Sequence, residues 1–192
     1  GLRRAGADFI VLSIHWGNEY RQDPTPIQRQ LAETILSETF VDLIVGHHAH
    51  VVQPVDRVGG KFVLYGLGNS VSNQNGRYHP GTKDGVIAVV TLQEGDAGWE
   101  ATGVELVPTL VEYPTYRILP AVATATDDLT AALAASRERT EDVMTSLLPE
   151  VLVPGIWSMV DAAPDPVRLQ IPVVPPGPPP ACTAVPDIPC YH

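Results

Sequence analysis

The sequence predicts an α/β fold built around parallel β-strands. Two short apolar runs, residues 8–14 and 42–46, are rich in branched side chains, which is typical of strands buried on both faces. Between them, residues 26–38 carry apolar side chains at helical spacing. A strand, a helix and a strand within about forty residues form a βαβ unit, so the two strands should run parallel with a right-handed crossover.

The composition supports a folded domain and argues against nucleic acid as a partner. Of the 192 residues, 44% are apolar and 18% are charged, which provides for a core of ordinary size. The balance of 12 basic against 22 acidic residues gives a net charge of −10. Affinity for nucleic acid comes mainly from Lys and Arg side chains that contact phosphates. Because acidic residues outnumber basic ones, we expect no nucleic-acid partner. The chain contains no uninterrupted apolar run of about 18 residues, so the sequence predicts no transmembrane segment in it.

The first helix follows from local signals. Pro26 suits its first turn, and the polar segment before it predicts a loop. Ile27, Leu31, Ile35 and Leu36 recur with the period of a helix. These four side chains predict the face that packs on the sheet.

Four further strands and a long loop complete the predicted domain. Residues 51–58 and 61–65 predict two strands joined by a glycine turn. Residues 66–85 predict a loop rich in Gly, Asn and Ser. Loops of this length more often have a function than serve only as connections. Residues 85–92 and 99–107 predict an antiparallel pair.

A second helix is predicted over residues 126–147, with a cap at Thr126 or Asp127. Its apolar side chains define one stripe, and two polar side chains interrupt that stripe. The apolar members are Leu129, Leu133, Val143 and Leu147, and the polar ones are Ser136 and Thr140.

We divide the chain into a domain at 1–120, a helical extension at 121–162 and a Pro-rich tail at 163–192. Proline is concentrated towards the carboxyl end, which disfavours helix and strand there. The tail carries Cys182 and Cys190, for which a disulfide fits better than a zinc site. Two free thiols are the alternative. A bridge would indicate an oxidising compartment.

Histidines are grouped where the two parallel strands end. His15 follows the first strand, and His47, His48 and His50 follow the second. The carboxyl ends of parallel strands meet at one edge, where open α/β sheets bind ligands. Neighbouring strands lie about 4.8 Å apart, so these imidazoles are within reach of a shared Zn, Fe, Mn or Ni ion. The alternative is a hydrogen-bonded histidine cluster in a turn.

Four motifs resemble the CapA family of poly-γ-glutamate capsule biosynthesis proteins, in order and in spacing. They are Ser13-Ile-His-Trp-Gly-Asn-Glu-Tyr20, Pro26-Ile-Gln-Arg-Gln-Leu-Ala32, Asp42-Leu-Ile-Val-Gly-His-His-Ala-His-Val51 and Tyr65-Gly-Leu-Gly-Asn69. The resemblance implies a four-layer α/β/β/α sandwich like that of calcineurin-type metallophosphoesterases, followed here by the Pro-rich tail. The family's earlier aspartate and Asn-His motifs would precede Ala7. We therefore expect this chain to be the carboxyl-terminal part of such a domain, with an incomplete site.

The resemblance also implies roles for individual residues. Such phosphoesterases use two divalent ions, here Mn, Fe or Zn, and a bridging hydroxide that attacks phosphorus. His15 matches the isolated ligand, His48 and His50 match the paired ligands, and His47 is an extra residue that could replace His48. Glu19 would act as an acid or base, or support a ligand, with a solvated loop carboxylate as the alternative. Asn69 would contact substrate, with a turn-forming role as the alternative.

The function implied is biosynthesis or export of a poly-γ-glutamate-type capsule through a metal-dependent, phosphoesterase-like site. The expected partners are an anionic capsule polymer or a phosphorylated substrate, together with the membrane subunits of capsule synthesis. The expected location is the extracellular face of the cell membrane. One alternative is a non-catalytic assembly component that binds polymer or partner subunits, and another is a small-substrate metallophosphodiesterase.

Overall fold

The described part of the chain forms two β-sheets with two α-helices. The structure, a computed structural model, describes residues 1–96, 98–121 and 128–148. The elements, in chain order, are β1 (Val11–His15), α1 (Pro26–Glu38), β2 (Leu43–His47), β3 (Val52–Val58), β4 (Lys61–Leu67), β5 (Asp84–Gly95), β6 (Gly98–Glu112), β7 (Arg117–Pro120) and α2 (Asp128–Met144). Two short 3-10 helices, Leu2–Ala5 and Pro80–Lys83, accompany them.

The first sheet contains the predicted βαβ unit. Its strand order is β1-β2-β4-β3, with β1 parallel to β2, β2 parallel to β4, and β3 antiparallel to β4. The helix α1 connects β1 to β2, as the apolar pattern predicts. The α/β class is confirmed, and the two sheets are consistent with part of an α/β sandwich.

The prediction that the first strand is buried on both faces is wrong. Within the described sheet β1 is an outer strand with β2 as its one neighbour, and Val11 is 52% exposed. An apolar run reports the burial of a strand in general, but the place of the strand in the sheet order depends on pairing that periodicity does not encode.

The helix α1 begins and ends where the sequence predicts, and Leu36 and Ile35 pack in the core as predicted, but the predicted face is not buried at Ile27 and Leu31. Ala32 and Leu36 are buried together with Gln28, whereas Ile27 is 70% exposed and Leu31 is also exposed. The reason is a buried hydrogen bond of 2.8 Å from Nε2 of Gln28 to Oε1 of the Gln53 side chain on β3. Because an unpaired buried amide is costly, this bond sets the rotation of the helix.

The second sheet is antiparallel in the order β5-β6-β7, and buried side chains of β5 and β6 pack against those of the first sheet. A core forms between the two sheets and α2, and a second core lies between the first sheet and α1. The buried residues of the first core are Leu43, Val52, Val55, Phe62, Leu64, Val86, Val104, Leu106, Met144 and Leu148. Those of the second are Trp16, Ala32, Leu36, Ile44, Val63 and Tyr65.

The buried stripe of α2 is more polar than the sequence suggests. Ser136 and Thr140 are buried, whereas Leu129, predicted in the stripe, is 39% exposed. Ser136 donates to the fully buried carboxylate of Asp84 at 2.6 Å, and Arg139 binds both oxygens of that carboxylate at 3.0 Å each. The polar positions therefore pair with a charge on β5, which offsets its desolvation.

The Pro-rich tail and both cysteines lie outside the described residues. The predicted bridge between Cys182 and Cys190, the caps at Thr126 and Asp127, and the division into three parts therefore remain predictions. Among the described residues, no helix is both long and apolar enough to cross a membrane.

We expect Arg139→Met to lower the free energy of unfolding by about 3 kcal/mol, because it leaves the Asp84 carboxylate buried without its bidentate partner. Arg4→Met, at an exposed arginine, is the control and should change stability by less than about 0.5 kcal/mol. Urea unfolding followed by circular dichroism measures both. Equal stability of the two variants would contradict the role of the ion pair.

Burial raises the pKa of Tyr65 to about 12 from an ordinary value of 10.0, with a smaller contribution from Asp56. The folded state therefore holds this proton more tightly, and stability should fall between pH 10 and pH 12, by about 2 to 3 kcal/mol. Tyr65→Phe should lack this component. Urea unfolding at several pH values tests it, and equal pH dependence in both proteins would contradict it.

Candidate functional site

The histidines lie at the carboxyl edge of the first sheet. His15 ends β1 and His47 ends β2, and the two are paired in register. The loop after β2 brings His48 beside His15, with ring centroids 4.4 Å apart and planes tilted by 47°. The His50 ring follows at 6.5 Å from that of His48. The structure thus brings together His15, His48 and His50.

The backbone of the histidine loop is strained. His48 has a φ of 97° and His50 a φ of 56°, in the left-handed region that L-residues rarely adopt. Two backbone hydrogen bonds hold the loop against the segment after β1: Trp16 N–H donates to the His47 carbonyl at 3.2 Å, and Tyr20 N–H to the Ala49 carbonyl at 2.7 Å. Strain of this kind is concentrated at functional sites.

The segment after His15 is anchored through Trp16. Its indole Nε1–H donates to the Tyr65 carbonyl at 2.9 Å, and its ring stacks on the Tyr65 ring at 5.7 Å. This hydrogen bond passes over Gly46, where a Cβ would collide with both the carbonyl oxygen and the indole nitrogen. A glycine is therefore required immediately before the histidine loop.

The side chain of Asn69 is almost fully buried and fixes the position of His50. Its Nδ2 donates to the His50 carbonyl at 3.1 Å and to the Thr82 carbonyl at 2.8 Å. Its Oδ1 lies 3.0 Å from Nδ1 of the His50 ring. All the polar atoms of the side chain thus have partners within the protein, and the predicted contact of Asn69 with substrate stays a prediction.

This network determines the tautomer of His50. Because the Asn69 amide nitrogen faces two carbonyl oxygens, its Oδ1 must be the atom that faces His50. Nδ1 of His50 is then the donor, and the lone pair of the neutral ring is on Nε2. A histidine whose Nδ1–H is held by a protein oxygen is the usual form of a metal ligand.

The other two predicted residues stand apart from this cluster. His47 is exposed and lines a separate cavity of about 190 Å³ with Val86 and Thr109. Glu19 is exposed, and no hydrogen bond or ion pair joins its carboxylate to another described residue. Their proposed chemical roles remain predictions.

The fit of this site to a divalent ion is partial. Imidazole nitrogens suit Zn, Fe and Mn, and His15 and His48 are close enough to act as a pair. Within residues 1–96, 98–121 and 128–148, however, no three His, Cys, Asp or Glu side chains are grouped so that they could hold an ion. The described residues therefore offer fewer than the four ligands that zinc usually takes.

An aromatic column that the sequence did not predict as functional borders the histidines. Tyr20 stacks on His50 with ring centroids 6.4 Å apart, and on Tyr78 at 5.9 Å. Tyr20 also has a positive φ of 63°. Tyr20 lies within the first CapA-like motif, but its stacking partner comes from the long loop, more than fifty residues later, and spacing alone could not identify it.

Comparisons with known proteins show which family the segment carrying the histidines resembles. Residues 2–74 match the family described as bacterial capsule synthesis protein PGA_cap. The matched stretch includes the four predicted histidines, Glu19 and Asn69. The resemblance to the CapA family is thereby confirmed, at moderate identity over part of the chain.

The names of the individual relatives refer to PGA biosynthesis, capsule biosynthesis and polyglutamine synthesis. The PGA biosynthesis protein CapA of Bacillus subtilis (strain 168) is 38% identical over 101 residues, 52% of this chain and 26% of that protein. The capsule biosynthesis protein CapA of Bacillus anthracis is 40% identical over 72 residues, 38% of this chain and 17% of that protein. A probable polyglutamine synthesis accessory protein of Mycobacterium tuberculosis (strain ATCC 25618 / H37Rv) is 29% identical over 69 residues, 36% and 18% respectively. The chain thus spans about a quarter or less of the length of these relatives.

We expect the neutral His50 ring to carry its proton on Nδ1 and the neutral His79 ring to carry it on Nε2, because Nδ1 of His79 accepts from Gly81 N–H at 3.0 Å. Long-range ¹⁵N–¹H NMR spectra distinguish the two tautomers. Asn69→Ala should release His50 into a mixture of tautomers and leave His79 unchanged. A wild-type His50 with its proton on Nε2 would contradict the network.

Proposed function

We propose that this chain is part of a protein for biosynthesis or export of a poly-γ-glutamate-type capsule, and that it supplies the histidine part of a metal-dependent, phosphoesterase-like site. The observation that carries the proposal is the 4.4 Å approach of the His15 and His48 rings at the carboxyl edge of parallel strands. That edge lies inside the stretch that matches the capsule synthesis family. The names of the relatives support the capsule pathway.

Within this proposal each residue has a separate task. His15 and His48 are the closest pair of donors, and His50 offers Nε2 because Asn69 holds its Nδ1–H. Divalent ions, when bound, would offset charge on a phosphate and lower the pKa of bound water. Glu19 is the proposed acid or base. Two ions of Mn, Fe or Zn are proposed for the longer protein, with the remaining ligands supplied from beyond the described residues.

The proposed partners and location follow from the same pathway. An anionic capsule polymer or a phosphorylated precursor is the proposed substrate, and membrane subunits of capsule synthesis are the proposed protein partners. A capsule lies outside the cell membrane, so we propose the extracellular face as the site of action. The net charge of −10 supports the exclusion of nucleic acid.

A second candidate function is a non-catalytic assembly component that binds the polymer. The observation in its favour is that the described residues hold no group of three metal-ligating side chains. An assembly component would need the fold and the polar loops but no metal.

Metal titration separates the two candidates. We expect the 192-residue chain to bind Mn²⁺ or Zn²⁺ weakly in isothermal titration calorimetry, and His15→Ala or His48→Ala to weaken binding at least about tenfold by removing one of two close ligands. His79→Ala, outside the ring cluster, is the matched control. Equal binding by the wild type and by a variant lacking both His15 and His48 would overturn the metal site and favour the assembly component.

A hydrolysis assay addresses the remaining alternative. With added Mn²⁺, we expect no turnover of an aryl phosphodiester by this chain, since three imidazoles lack the carboxylate that usually bridges two ions. Turnover that His48→Ala abolishes would instead favour a small-substrate metallophosphodiesterase.

A further inference from the structure

A cavity of about 510 Å³ lies beside the histidine cluster and is not used by the proposed metal site. Its volume is in the range of small-ligand pockets. The segment between β1 and α1 provides most of the lining, including Tyr20, Arg21 and Asp23, and His79 lines it from the long loop. The Tyr20 ring, which stacks on His50, adjoins both the cavity and the histidines.

The cavity carries one positive and one negative side chain whose charged groups are not engaged elsewhere in the described part of the protein. The Arg21 side chain is exposed, and no hydrogen bond or ion pair joins its guanidinium to the described residues. The same holds for the carboxylate of Asp23. The backbone at this point is nevertheless fixed, because the Gln53 side chain donates to the Arg21 carbonyl at 2.8 Å.

The remaining polar residues of the lining, among them Asn18, Gln22 and His79, add hydrogen-bonding groups rather than a second full charge. His79 accepts from Gly81 N–H through Nδ1, so its neutral ring has its N–H on Nε2. The amino end of α1 adds little to anion binding, because the capping box of Thr25 and Gln28 already uses the N–H groups of both residues.

We propose that this cavity binds a chain bearing both carboxylates and amides, with Arg21 pairing a carboxylate and Asp23 accepting an amide N–H. A guanidinium binds a carboxylate in a bidentate, charge-assisted pair. A dianionic phosphate would meet the repulsion of Asp23 with only one arginine to offset it, whereas a peptide-like acidic polymer satisfies both side chains. This inference rests on the proposed capsule function and assigns the polymer a position next to His50.

The aromatic wall fixes the relation between the bound chain and the histidines. The Tyr20 N–H donates to the Ala49 carbonyl in the histidine loop, so the cavity wall and that loop form one connected structure. A polymer held by Arg21 would therefore be presented to the histidine edge instead of being bound at a remote surface.

The test measures binding of an oligomer of about six γ-linked glutamates to the 192-residue chain without metal, by isothermal titration calorimetry. We expect Arg21→Gln to weaken binding about tenfold or more, through loss of a charge-assisted pair. Arg4→Gln, at an exposed arginine outside the cavity lining, is the matched control and should leave binding unchanged. Both side chains are exposed, so neither change should affect folding, which circular dichroism checks.

A second comparison tests the role of Asp23. The wild type should prefer the glutamate oligomer over an oligomer of acrylic acid with the same number of carboxylates, because only the former offers amide N–H groups. Asp23→Asn should reduce this preference. Binding of acrylic acid oligomer or inorganic phosphate as tightly as the glutamate oligomer would overturn the assignment of the ligand class, and so would binding that Arg21→Gln leaves intact.

Failure of this proposal is distinguishable from failure of the metal site. If metal binds through His15 and His48 but the oligomer does not bind, the cavity proposal is wrong and the histidine site stands. If the oligomer binds through Arg21 but no metal binds, the cavity proposal stands and the assembly role is favoured.

Discussion

The buried amide of Asn69 joins the histidine loop to the rest of the protein, and the geometry of the site depends on it. Its three side-chain hydrogen bonds reach His50 twice and Thr82 once, and its backbone N–H donates to the Asp84 carbonyl at 3.0 Å. The Asp84 carboxylate is in turn paired with Arg139 on α2. A continuous polar network therefore runs from the second helix, through the start of β5, to a ring at the sheet edge.

The same network explains how strained residues persist in the loop. Left-handed backbone at His48 and His50 costs of order 1 to 3 kcal/mol at each position, and it persists only where the surroundings over-determine it. Here the loop is held by Asn69 from one side and by the backbone of Trp16 and Tyr20 from the other. These hydrogen bonds hold the loop in the conformation in which the His48 ring lies 4.4 Å from that of His15 and 6.5 Å from that of His50.

The proposed metal site and the proposed polymer cavity use different chemistry on adjoining surfaces. The histidine edge offers neutral nitrogen donors, whereas the cavity offers a free guanidinium and a free carboxylate within the described part of the chain. Tyr20 adjoins both, with its ring on His50 and its backbone on the histidine loop. Two functions fit this arrangement: a polymer-binding protein with a metal-dependent site, and a non-catalytic assembly component that binds the polymer. They differ in whether the histidines bind metal.

The sequence by itself determined most of the elements, although not β7, and where the histidines lie. Local periodicity defines strands and helices, and parallel strands end at one edge. Tertiary structure alone decided which polar side chains are buried. The hydrogen bond from Gln28 to Gln53 fixes which face of α1 is buried, and Ser136 is buried where it donates to the Asp84 carboxylate. These pairs join residues 25 and 52 positions apart. A buried polar group is stable only with its partner, and that partner is set by the packing of distant elements.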